Sequence, residues 1–479
     1  MREEHYRKLY NLIKLAFIDM QNLVNKSEDE HKYIFTHYNF PILRDRRDNG
    51  MPTLSEHYGI DGPKNYASLF SSKDDEHHYN YKKISSFQNV IEFFDNHVEE
   101  LAEHPFFRDY KENDDLKFSY LTYQLLYLFD CYMHTADSTV FDEDAFKGVL
   151  LRFYNRIFLE DLPISICVPI LLTRFEDDVI TVTDNIRIRK LSDIELLSSY
   201  KVGEYSDIYE LFVVSSATHI LELQNYTIPN VPLFSWFALE HKEAYPLDII
   251  DKWFAALRIV THIESGYGQV LAFPDEWGIK KEKLIDVHGD KIFRYNYKYV
   301  TNKLWNDPTP LISSKELEPV NKLFKFFLSN TNNALNLAIR RLNRAYLREA
   351  EEDAIVDLVI GIEALVTNDE HGEITYKVST RSAFILSTLP QYPYSIIETK
   401  VAIGKLYNFR SKVVHGASQI DKSRVIKIRD DISKSSVSFA IELLQYLILA
   451  IVNKPIFLNV QKIDEYFLNN YEELLNHES

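Results

Sequence analysis

From Pro163 to Leu191 the chain reads PISICVPILLTRFEDDVITVTDNIRIRKL. Here the apolar residues leave a helical period for an extended one. β-Branched residues run through ISICVPI and VITVT, an acidic turn at Glu176, Asp177 and Asp178 separates the runs, and alternation carries Ile186 and Ile188 towards Leu191. Branched side chains fit a pleated surface better than the crowded turn of a helix. The stretch predicts a β-hairpin or small sheet.

Upstream the pattern is helical. Leu9, Leu12, Ile13, Phe17, Met20 and Leu23 recur at helical spacing, and three further helical patterns lie between Phe87 and Phe158, the clearest being YLTYQLLYLFDCYM. Residues 30 to 83 are polar, aromatic and broken by Pro41, Pro52, Gly59, Gly62 and Pro63, which reads as irregular. Downstream, ELFVVSSATHILELQN suggests another pair of strands, DIIDKWFAALRIVTHIE a helix and GYGQVLAF a strand; Pro308 and Pro310 then mark a linker. Beyond it the helical period is sustained through IEALV, RSAFIL, KLYNF and SFAIELLQYLILAIV, enough for four or five helices. The expected fold is mainly α with a mixed α/β middle region and a C-terminal α-helical bundle. Its expected parts are a mostly helical region over 1–150, a mixed sensor or regulatory region over 151–310 and the bundle over 311–479.

Composition narrows the function. The 479 residues are 46% hydrophobic, enough for a core in each part. Cys131 and Cys167 are the only cysteines, too few for a disulfide framework or a cysteine-ligated zinc site, so a reducing cytoplasm is expected. The N-terminal MREEHYRKLYNLIKLAF mixes charge into its apolar positions and reads as an amphipathic helix, not a signal peptide. SFAIELLQYLILAIV is interrupted by Glu442 and Gln445 and is short for a bilayer span, so a soluble protein with no membrane partner is expected. The net charge of −17 excludes a general nucleic-acid coat. Residues 311–479 nevertheless carry 20 Lys and Arg against 21 Asp and Glu, so the acidity lies upstream.

The near-neutral part contains KLYNFRSKVVHGAS, Lys405 to Ser418, where an apolar helical run carries Arg410 and His415 before Gly416. An Arg-x4-His spacing alone is weak, since about one such pair arises by chance in a chain of this composition. Five helical residues turn through about 500° and rise about 7.5 Å, so the two side chains stand roughly 140° apart unless the last turn distorts. Gly416 offers a left-handed C-cap, and the helix C-terminus favours an imidazolium at His415, as a general acid/base requires. Arg410 offers a permanent, forked cation for a phosphate.

These residues resemble the HEPN superfamily of helical-bundle ribonucleases, in particular its ApeA-like branch. The resemblance covers roughly 311–455 and rests on Glu363-Ala364-Leu365, Arg381, Tyr407, Arg410-Ser411 and His415-Gly416 in that order. It departs at Ser411, where many active relatives carry Asn or another strongly polar group. What it implies is metal-independent RNA cleavage, without a cofactor, at a site assembled across a symmetric dimer. His415 would take the proton of a ribose 2′-OH, Arg410 would hold the phosphoryl oxygens, and a 2′,3′-cyclic phosphate and a 5′-OH would result. The implied partners are RNA, with tRNA one candidate, a second copy of the chain and a phage protein as trigger of anti-phage defence.

Blander readings compete. His415 can be a capping residue and Arg410 a structural ion-pair partner, in a non-catalytic adaptor or a protein-interaction sensor. Glu363, inside VIGIEALV, needs a cation, which Arg381 or Arg410 would supply, with Arg381 the expected structural partner. Tyr407 reads first as core packing. Lys412, Lys422 and Arg424, with Lys427 and Arg429, are candidate RNA contacts or a solvated helix face. His77 and His78 beside Asp74, Asp75 and Glu76 read as a solvated loop more than a metal site.

Overall fold

The computed structural model describes residues 3–37, 40–47, 52–57, 62–73, 79–108, 114–200, 202, 215–231, 235–279, 284–296, 309–367, 373–415 and 421–478. The chain folds as two compact units. The first comprises residues 1–170, 178–245 and 267–293, the second residues 171–177, 246–266 and 294–479.

The first unit begins with α1 (Glu3–Asp29) and a hairpin of β1 (Phe40–Arg46) and β2 (Pro52–His57). Five helices follow: α2 (Tyr66–Ser71), α3 (Ser85–Asn96), the single turns α4 (Val98–Leu101) and α5 (Pro105–Arg108), and α6 (Asp114–Ala136). α7 (Glu143–Phe158) completes the set, its N-terminus capped by the Asp142 carboxylate. Rings from these helices meet edge to face, Phe17 lying 5.3 Å from Phe129 and 5.5 Å from Phe146. That arrangement sets positive ring edges against negative faces.

The stretch around Pro163 to Leu191 gives β3 (Asp161–Pro169), β4 (Arg174–Phe175), β5 (Val179–Thr183) and β6 (Ile186–Lys190). With α8 (Asp193–Tyr200), β7 (His219–Pro229), β8 (Tyr267–Pro274) and β9 (His288–Arg294), and without β4, these strands form a six-stranded sheet in the order β5-β6-β7-β3-β8-β9. The pairings β5-β6, β6-β7, β7-β3 and β3-β8 are all antiparallel. Across β6, β7 and α8 runs an ion network: Arg189 reaches Glu222 at 2.7 Å and Glu195 at 2.6 Å.

The second unit pairs β4 in parallel with β10 (Leu311–Ile312) and contains α9 (Leu247–Thr261), α10 (Ser314–Ser329) and α11 (Asn333–Tyr346). It continues with α12 (Glu351–Val366), α13 (Ile374–Ser387) and α14 (Ile396–Val414). A hairpin of β11 (Val425–Arg429) and β12 (Ile432–Ser435) precedes α15 (Ser436–Asn453) and α16 (Gln461–Glu478). α15 is apolar enough over 18 residues to cross a membrane by composition alone, yet most of it is buried in the unit. Its polar groups are satisfied as in a core helix. Gln445 donates to Arg258 O and Tyr346 Oη, each at 2.9 Å, and Glu442 pairs with Lys434.

The expected fold class is corrected in two places. The middle of the chain is not a mixed α/β region with a small sheet: it holds a substantial antiparallel sheet, joined where β5 meets β6 by the tight Asp184-Asn185 turn instead of a crossover helix. The helix that suggested alternation, α9, belongs to the second unit. The C-terminal part is not wholly helical either. VIKIRDDIS forms a hairpin because Ile426 and Ile428 bury one face while Val425, Lys427 and Arg429 face outward, a period of two. Likewise the stretch over 30 to 83 holds a hairpin and a helix; HILELQNYTIP is one long strand, and Glu210 to Val214, the other half of the expected pair, lie outside the described residues.

Candidate active site

α14 is entered through a capping box, in which Ser395 and Glu398 satisfy each other's backbone N–H groups. Thr399, Ala402, Ile403, Leu406, Tyr407 and Phe409 recur at helical spacing and are buried, so this face is held against the unit. Arg410 sits at its margin, half-buried. Ser411 and His415 are exposed.

The helix keeps its geometry to the end. The His415 N–H donates to Ser411 O at 3.0 Å, an ordinary helical bond, and His415 is the C-cap with φ −96° and ψ 5°. The last helical hydrogen bond is therefore intact, and ideal helix geometry sets Arg410 and His415 roughly 140° apart around the axis. Gly416, the expected left-handed cap, lies outside the described residues, as do His77, His78 and the side chain of Lys422.

α12 brings Glu363 to Tyr407. Gly361, two residues earlier, lets α12 lie close to α15 instead: a Cβ there would stand 2.9 Å from Leu444. The helix is further pinned by the buried Asp357, which holds Arg341 at 2.5 Å and Arg348 at 2.8 Å. Glu363 Oε1 accepts the Tyr407 hydroxyl proton at 3.0 Å. Burial first, and then the Glu363 carboxylate, push the Tyr407 phenol far above its ordinary range, while the nearby Arg410 charge acts in the opposite sense.

Arg381 does not pair with Glu363. It forks onto the Asp464 carboxylate at 3.0 and 2.6 Å and donates to Val366 O at 3.0 Å. The partner expected for Glu363 is thus replaced by a tyrosine. Arg410 Nε is buried and makes no hydrogen bond, and among the described residues no carboxylate stands within 4.0 Å of its guanidinium. A permanent cation without a counterion in a half-buried position is a ready partner for an anion.

The expected RNA contacts are mostly engaged. Arg424 binds Glu351 at 2.6 Å, Asp421 at 3.2 Å and Glu352, tying the hairpin to the acidic first turn of α12. Lys412 donates to Ser423 Oγ at 2.7 Å. Lys427 and Arg429 pair with Asp430 and Asp431 at 2.8 and 3.1 Å, exposed contacts of about 0–1 kcal/mol that a phosphate can displace. A cleft of about 720 Å³ on the same unit, absent from the sequence expectations, is lined by Lys252, Arg294, Arg340 and Arg344 beside Asp248 and Asp251. Arg340 and Arg344, one turn apart on α11, are exposed and form no ion pair among the described residues. The signal was present in IRRLNR, whose arginines three and four apart share one face.

No protein-family model matches this chain, and no curated protein or solved structure matches it either.

Proposed function

We propose that this chain is a metal-independent endoribonuclease of the HEPN type, acting in the cytoplasm as an effector of abortive anti-phage defence. The observation that carries the reading is Arg410, a guanidinium with no counterion among the described residues, one turn from the Tyr407–Glu363 pair on the helix that ends at an exposed His415. Arg410 holds two phosphoryl oxygens of the scissile phosphate. His415 takes the ribose 2′-OH proton, the 2′-oxygen bonds to phosphorus, and the P–O5′ bond breaks. The leaving 5′-oxygen takes its proton from the imidazolium of a second copy. A 140° separation on one helix favours this division between two copies over a site within one chain. The free arginines of the α11 cleft suit the ribose-phosphate backbone, and the acidic first unit suits a regulatory role that keeps RNA away at rest.

The test incubates purified full-length protein with total RNA in excess EDTA and maps the new ends. New 5′ ends that kinase labels without prior phosphatase treatment, and new 3′ ends that resist phosphatase until the cyclic phosphate is opened, both lost in His415→Ala, support the reading. A folded parent that cuts no RNA overturns it in favour of a non-catalytic adaptor.

A further inference from the structure

Three side chains on the first unit converge away from anything the cleavage reading uses. Asp130 and His134 occupy successive turns of one face of α6, and His37 comes from the segment bridged to Lys64 through Thr36. One ligand atom from each lies within 4.8 Å of the others. Asp130 Oδ2 stands 3.5 Å from His37 Nε2 and 3.9 Å from His134 Nε2. Both gaps exceed a hydrogen bond. They match the separation of about 3–4 Å between neighbouring ligands that each lie about 2.0–2.2 Å from a zinc-sized cation.

The surroundings favour a cation too. Asp130 is fully buried, and a buried carboxylate needs positive charge beside it. Its other oxygen, Oδ1, accepts the Tyr66 N–H at 2.7 Å and the Ala67 N–H at 3.4 Å, the first amides of α2. This fixes the carboxylate plane with Oδ2 turned to the histidines, as the outer contacts of a metal ligand do. The Lys64 carbonyl oxygen accepts from His134 Nε2 at 2.9 Å, so cation binding at that nitrogen releases the ring proton. His134 also lines an open cleft of about 650 Å³ with Cys131, Arg152 and Glu195, a route for entry.

We propose that His37, Asp130 and His134 form a structural site for a divalent transition cation of the zinc class. Two imidazoles and one carboxylate suit zinc better than the oxygen-seeking calcium or magnesium. The cation joins the His37 segment to the end of α6, two pieces far apart in sequence. The inference is independent of the Arg410–His415 reading, and its test reads binding instead of cleavage.

The full chain is stripped with a chelator, exchanged into metal-free buffer and titrated with zinc chloride by calorimetry, then with cobalt(II) for its visible spectrum. One zinc per chain at micromolar affinity or tighter, a zinc-dependent rise in melting temperature and a ligand-field band with cobalt are expected. Asp130→Asn also loosens the start of α2, so His37→Gln and His134→Gln carry the test. Each is expected to weaken zinc binding at least 100-fold while circular dichroism stays that of the parent. A folded parent that binds no zinc at 100 µM overturns the proposal, and so does parental affinity in both histidine variants.

Discussion

The Tyr407 hydroxyl donates to Glu363 Oε1 across 3.0 Å, linking α14 to α12 at the position where a salt bridge was expected. The consequence falls on Arg410. With its carboxylate neighbour occupied by a neutral donor, the guanidinium keeps its charge available. Tyr407→Phe removes the donor, leaving a half-buried carboxylate to compete for Arg410. Chemical denaturation should show a loss of about 1–2 kcal/mol, and RNA cleavage should fall with KM rising more than kcat changes. Parental stability and kinetics in this variant would remove the tyrosine from the account.

Arg410→Lys and His415→Ala separate catalysis from folding. Lysine keeps the charge and loses the fork, and His415 is exposed, so neither change should move the melting temperature by more than about 2 °C. Cleavage should fall by roughly 10²–10⁴-fold in each. If either variant instead unfolds in proportion to its lost activity, the two residues are structural.

Assembly is a separate question. Sedimentation at micromolar concentration should show the active species as a dimer, and dilution below the dissociation constant should reduce the specific activity. A monomer with undiminished cleavage contradicts a site shared by two copies.

Arg340 and Arg344 give the RNA-binding expectation a measurable form. Each phosphate contact on a single strand contributes about 0.7 to the slope of log affinity against log salt. Replacing both arginines by glutamine should lower that slope by about 1.4 and weaken binding evenly across RNA sequences. An unchanged slope would place the RNA elsewhere.

The Arg189–Glu195 pair makes a pH prediction for the first unit. Burial raises the Glu195 pKa, but the Arg189 and Ser192 contacts outweigh it and hold the carboxyl below its ordinary value. A depressed folded-state pKa gives stability that is present above about 4.3, the ordinary glutamate value, and lost as the pH falls through the lower folded value. Glu195→Gln should therefore destabilise the unit by ~2–3 kcal/mol at pH 7, a cost set by leaving Arg189 with Glu222 alone. The gap between parent and variant should close as unfolding is repeated below pH 4. A gap that widens with acid would reverse the sign of this contribution.

The local elements are legible in the spacing of apolar residues. Leu9 to Leu23 announce α1, Ile186 and Ile188 announce β6, and the apolar run ending at Phe409 places Arg410 and His415 near the end of a helix, because the period of apolar residues fixes which face is buried. Even here one signal was misread. Ile426 and Ile428 alternate in VIKIR, but the run flows into the strongly helical SFAIELL, and a strand of five residues is easily absorbed into its neighbour's period. Side-chain partners came from packing. Arg381 meets Asp464, 83 residues away, and Tyr407 meets Glu363, 44 residues away. Arg424 turns to the acids of α12, and His37 joins Asp130 and His134. Periodicity says that a charge near a buried face needs a counterpart. Which of many carboxylates or hydroxyls supplies it depends on how distant segments pack, and no local pattern carries that information.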